Sequence, residues 1–89
     1  MTNRSLKIIN EKGLHARASA KLVEVVEGFD AQAEVSKDGL SASGDSIMGL
    51  LMLAASRGTT IDVETSGPDA EALADALETL VNGKFGEGF

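Results

Sequence analysis

The stretch Ala31-Gln32-Ala33-Glu34-Val35-Ser36-Lys37-Asp38-Gly39-Leu40-Ser41-Ala42 sets apolar residues at alternate positions on both sides of Asp38-Gly39. A period of two belongs to a strand with one buried and one wet face. Asp-Gly supplies the positive backbone angles that a tight two-residue turn requires. The stretch therefore reads as a β-hairpin, two antiparallel strands joined at residues 38–39.

Working back from the hairpin, Ala18, Leu22, Val25, Val26 and Phe29 recur at three- and four-residue steps, which predicts a helix from about Ala16 to Glu27 with Gly28 just past its end. Before it, Ser5 to Ile9 alternates like a strand and runs into the loop Asn10-Glu11-Lys12-Gly13. Forward of the hairpin, Gly44-Asp45-Ser46 is a helix-start sequence in which either Asp45 or Ser46 can cap the next segment. That segment is expected to continue to about Ser56, with Gly58 closing it. Ile61, Val63 and Thr65 alternate with Asp62 and Glu64 as a further strand. Pro68 then suits the first turn of a last helix, with Leu73, Leu77, Leu80 and Val81 as its buried stripe, Glu71, Asp75 and Glu78 outward, and Gly83 at its end.

The order is β-α-β-β-α-β-α over 89 residues, with no repeat and no linker, so residues 1–89 read as one domain. Strands with one polar face need helices over the other, which predicts an α+β protein, a two-layer sandwich with a largely antiparallel sheet. Strand order is left open at this point.

The formal net charge of -6 repels polyanions, and Phe29, Phe85 and Phe89 are the only aromatics. No nucleic-acid partner is expected, because neither a basic face nor a stacking platform is present. The longest apolar stretch, Ile47 to Ala55, is far short of the roughly 18 residues that span a bilayer. No membrane insertion is expected, and the absence of Cys and of a signal sequence suits a cytoplasmic protein. One His among scattered carboxylates is a poor metal set, so no metal or cofactor is expected.

Charge is uneven along the chain. Residues 1–21 carry Arg4, Lys7, Lys12, Arg17 and Lys21 against Glu11 alone, and they hold the only histidine, His15. Gly13-Leu14-His15-Ala16-Arg17 lies where a loop becomes a helix, placing His15 at or next to an N-cap. Unpaired amides there favour a bound or attached anion, a ring nitrogen can act as a nucleophile, and Arg17 adds a planar cation for phosphate oxygens. Together these features suggest a phosphoryl-acceptor site. From position alone, His15 is equally a polar loop residue, while basic residues placed like Arg17 and Lys21 on a helical turn usually face solvent.

Ile47-Met48-Gly49-Leu50-Leu51-Met52-Leu53-Ala54-Ala55 would be apolar on every side as a helix. Either it is unusually enclosed, or Ile47, Met48 and Leu51 lie exposed and await a partner. Two methionines suit a surface that adapts to several partners.

With Gly13-Leu14-His15-Ala16-Arg17, Gly44-Asp45-Ser46-Ile47-Met48-Gly49-Leu50 and the order of elements, the sequence resembles the HPr family, the histidine-containing phosphocarriers of the phosphoenolpyruvate-dependent phosphotransferase system. The resemblance implies a four-stranded antiparallel sheet of order 1-4-2-3 with three helices on one face. It implies that His15 accepts a phosphoryl group on Nδ1 from phosphorylated enzyme I and gives it to a IIA-type protein, as a carrier rather than an independent catalyst. Arg17 and the amides of Ala16, Arg17 and Ala18 would hold the phosphate, and Ala20, Lys21, Ile47, Met48 and Leu51 would form the docking surface. Ser46 resembles the residue phosphorylated by an HPr kinase/phosphorylase, beside its simpler role as an N-cap.

The sequence departs from the family at Ala18-Ser19, where Pro-Ala is usual. The change restores a backbone donor and removes a rigid ring, while Ser19 brings a hydroxyl for the site, for capping or for solvent. Sugar uptake and a nitrogen-related regulatory branch are both open as the downstream process. A monomer is the simplest state for a small carrier. Two other readings compete: a regulatory binding module of the same fold acting through Ser46 without phosphoryl relay, and an unrelated ferredoxin-like ligand-binding domain. The first leaves His15 without a use, and the second leaves its pairing with Arg17 unexplained.

Overall fold

The turn at Asp38-Gly39 forms with φ of 52° and 83°, and Lys37 faces Leu40 across it. The computed structural model describes residues 1–88 and runs β1 (Thr2–Lys7), α1 (Ala16–Glu27), β2 (Gln32–Lys37), β3 (Leu40–Ser43), α2 (Ile47–Met52), β4 (Thr60–Ser66) and α3 (Ala70–Asn82). A single 3-10 turn at Lys84–Gly86 follows α3. The four strands form one antiparallel sheet in the order β1-β4-β2-β3. Its inner face aligns Leu6 with Ile61 and Val35 with Val63, and the helices cover that face. Leu22 and Val26 of α1, Leu50 of α2 and Leu73, Leu77 and Val81 of α3 complete the core.

Four local expectations need correction. The first strand occupies Thr2–Lys7 instead of Ser5–Ile9. Arg4 belongs to its inner face, where the guanidinium reaches Glu78 at 2.7 Å and Asp75 at 2.8 Å on α3, so a charged residue sits where an aliphatic one is normally sought. Ile8 leaves the strand but stays buried, bonded to Gly58 and Thr59. Leu40 of β3 faces solvent, because the edge strand has no helix over that end.

The third correction is at α2, which stops at Met52 and not near Ser56. Ala54 takes φ of 51°, breaking the helix so that Leu53 and Ala55 turn into the core. The fourth is at α3, whose N-cap is Asp69, leaving Pro68 ahead of the helix instead of in its first turn. Asp69 and Asp30 are joined reciprocally: Asp69 Oδ2 accepts the Asp30 amide at 2.9 Å, and the Asp30 carbonyl accepts the Asp69 amide at 3.1 Å.

Past Gly83, which ends α3 as expected, Lys84 and Phe85 take successive left-handed conformations. They swing the Phe85 ring into full burial in the core, and the remaining chain passes back toward the start of α1.

Candidate functional site

His15 is the N-cap of α1, in extended backbone conformation, and its side chain makes no capping bond. The Ser19 amide is bonded to the His15 carbonyl at 2.8 Å. The amides of Ala16, Arg17 and Ala18 precede this closed turn and are the ordinary unpaired donors of a helix start. Ala16 and Arg17 are exposed, Ala18 is buried, and Arg17 has no ion-pair partner among the described residues. Those three amides and the Arg17 guanidinium can hold an anion next to the imidazole.

The loop before His15 is held from two sides. The Ala55 carbonyl accepts the Leu14 amide at 2.8 Å, so the early end of α2 serves to fix the residue before His15. Gly13 has φ of 66°, and a Cβ there would lie 2.5 Å from the Ala55 oxygen. Asn10, fully buried, donates from Nδ2 to the Gly13 carbonyl at 2.8 Å and to Glu87 Oε1 at 3.0 Å.

Glu87 is a site residue that the sequence reading missed. Its other oxygen, Oε2, pairs with His15 Nε2, leaving Nδ1 as the ring nitrogen without a described partner. The Glu87 side chain is only 4% exposed, against 27% for His15. Burial pushes its carboxyl upward, but the hydrogen bonds from Asn10 and His15 and the charges of His15 and Lys12 outweigh this, and the carboxyl is held below its ordinary value. No sequence signal marked it, since 72 residues separate the pair and the turn that delivers it is built from Lys84 and Phe85.

Lys21, expected in the docking surface, donates to the Phe85 carbonyl at 2.5 Å and so pins the C-terminal turn to α1. The five cations of residues 1–21 do not converge on the site, because β1 carries Arg4 away to α3. The Ser19 hydroxyl turns inward, is buried and donates to the Leu14 carbonyl at 3.2 Å; it neither faces the site nor solvent.

On α2, which packs beside α1, Leu50 is buried while Ile47 is exposed, Met48 is 70% exposed and Leu51 is partly buried. Ala20 of α1 is also exposed. Met52, absent from the expected set, is the most exposed residue of this helix at 74%. Ser46 is partly buried and is the N-cap, its Oγ accepting the Gly49 amide at 3.1 Å, while Asp45 instead accepts from Ser43.

Known proteins share this fold. Residues 2–83 match the family described as "PTS HPr component phosphorylation site", a stretch that ends before the C-terminal turn. The chain is 48% identical over 88 residues to the phosphocarrier protein HPr of Cupriavidus necator, covering 99% of each. It is 43% identical to the phosphocarrier protein NPr of Shewanella violacea, covering 94% of this chain and 92% of that one. Among solved structures it resembles the crystal structure of HPr-C-His from Thermoanaerobacter tengcongensis, with a TM-score of 0.95 at 36% identity and full coverage of both chains. Fold and sequence together place the protein among the small phosphocarriers of the phosphotransferase system. The chain belongs to the HPr family.

Proposed function

We propose that the protein accepts a phosphoryl group on His15 Nδ1 from phosphorylated enzyme I and donates it to a IIA-type protein. The observation that carries this reading is the placement of His15 as the N-cap of α1 with its side chain uncommitted to capping. In the transfer, the Nδ1 lone pair bonds to phosphorus as the nitrogen–phosphorus bond of the donor breaks. The Ala16, Arg17 and Ala18 amides and the Arg17 guanidinium then face the phosphoryl oxygens, and the next transfer repeats the exchange toward the acceptor. His15 is thus a covalent carrier site, and the protein is a co-substrate of its partners. It acts as a single domain and a monomer in the cytoplasm.

The exposed Ala20, Ile47 and Met48, with the partly buried Lys21 and Leu51, support a docking surface beside the histidine. Ser46 lies at its edge. Phosphorylation there by an HPr kinase/phosphorylase would add about two negative charges next to Ile47 and Met48 and lower partner affinity.

Incubation with phosphoenolpyruvate and enzyme I tests the carrier reading. Wild type should gain the mass of one acid-labile phosphate and His15→Ala none. Failure of wild type to gain it, with an enzyme I active on another carrier, would overturn the reading.

A further inference from the structure

The C-terminal turn lies beyond the stretch matched to the family, yet it delivers a nearly buried carboxylate to the one histidine of the chain. Burying a carboxylate is costly, and a salt bridge so placed seldom stabilises a fold more than apolar packing would. This one is nonetheless held at several points. The Phe85 ring is fixed in the core, Lys21 grips the Phe85 carbonyl, and Asn10 binds both Glu87 and the Gly13 carbonyl two residues before His15.

We propose that Glu87 is a positioning residue for His15: its carboxylate accepts the hydrogen bond from Nε2, keeps Nδ1 turned to the phosphoryl donor, and balances the positive charge that the ring acquires during transfer. The inference rests on His15 being the phosphoryl acceptor. When Nδ1 bonds to phosphorus and the donor's nitrogen–phosphorus bond breaks, no proton enters or leaves His15. Nε2 keeps its hydrogen, so the ring becomes formally cationic. The start of α1 is the wrong end of a helix for a cation. A carboxylate within hydrogen-bond reach of Nε2, shielded from water, offsets that penalty and makes it easier for the ring to receive phosphorus. Glu87 touches the ring nitrogen that does not react and makes no bond to phosphorus itself.

Single-turnover transfer from phosphorylated enzyme I, compared for wild type and Glu87→Gln, tests the inference, with the ring nitrogens of His15 followed by 15N NMR. Glutamine keeps an acceptor oxygen but removes the charge. The variant should remain folded at the assay temperature and accept phosphate about tenfold more slowly, the difference between a charged and a neutral hydrogen bond. In wild type the hydrogen should reside on Nε2 and exchange slowly with water, and in the variant it should exchange faster. Equal transfer rates in the two proteins, or a wild-type hydrogen on Nδ1, would overturn the inference. The second readout decides even if the variant folds poorly. A wild type that takes no phosphate fails the carrier reading, while the nitrogen signals still report whether Glu87 holds the ring.

Discussion

The Ala55 carbonyl accepts the Leu14 amide at 2.8 Å, tying the chain that leaves α2 to the residue before His15. The contact is possible because Gly13 has no side chain, a Cβ there falling 2.5 Å from the same oxygen and 2.9 Å from the Ser56 Cα. Gly13→Ala must both push these backbones apart and adopt φ of 66° with a side chain. We expect a loss of about 2–4 kcal/mol. In a thermal scan the midpoint should fall by roughly 10 °C or more. A variant as stable as wild type would show that the loop has another accessible path.

The Phe85 ring anchors the C-terminal turn from within the core. Phe85→Ala should cost about 3–5 kcal/mol in urea unfolding, as for other large-to-small core changes. It should also release Glu87, so the His15 ring nitrogens should come to resemble those of Glu87→Gln. Stability lost without any change at His15 would separate the anchor from the site.

The Glu87 carboxyl lies below its ordinary value of 4.5 in the folded state. Its interactions with Asn10, His15 and Lys12 therefore add stability above the unfolded-state value, and this is lost as pH falls through the lower folded one. Denaturation at pH 7 and pH 3 should show a smaller acid loss for Glu87→Gln than for wild type. The gap between the two proteins should be widest at neutral pH. An identical acid loss in both would argue against a favourable carboxylate at this position.

Ser46 gives two substitutions with opposite effects. Ser46→Ala removes the acceptor of the Gly49 amide and should cost about 1 kcal/mol while leaving docking nearly intact. Ser46→Asp keeps a good N-cap and so the stability, but its charge beside Met48 should weaken enzyme I binding roughly tenfold. Thermal scans and titration calorimetry separate the two effects. Unchanged affinity in Ser46→Asp would remove Ser46 from the regulatory reading.

The parts of the fold legible in the sequence are those set by local chemistry. Asp38-Gly39 announced its turn through its backbone angles, and α1 announced its span through the spacing of Ala18, Leu22 and Val26. His15 and Arg17 could be placed at a helix start for the same reason. What stayed hidden was set at long range or by unmarked backbone. Ala54, Lys84 and Phe85 adopt left-handed conformations that glycine or asparagine would have advertised. Arg4 is on an inner face because two carboxylates of α3 wait there, and Glu87 reaches His15 only once Phe85 is packed. The division of the cationic stretch followed from the same tertiary contacts.

The antiparallel pairing of β1 with β4 also bears on how the molecule is made. Thr2 faces Thr65, and Arg4 waits for Asp75 and Glu78, so β1 leaves the ribosome well before its partners have been made. Until then a nascent chain holds β1 as an open edge, while β2 and β3 can already close locally. Completion of the sheet is therefore deferred until β4 has been made, and chains stalled before α3 should be the ones that chaperones capture.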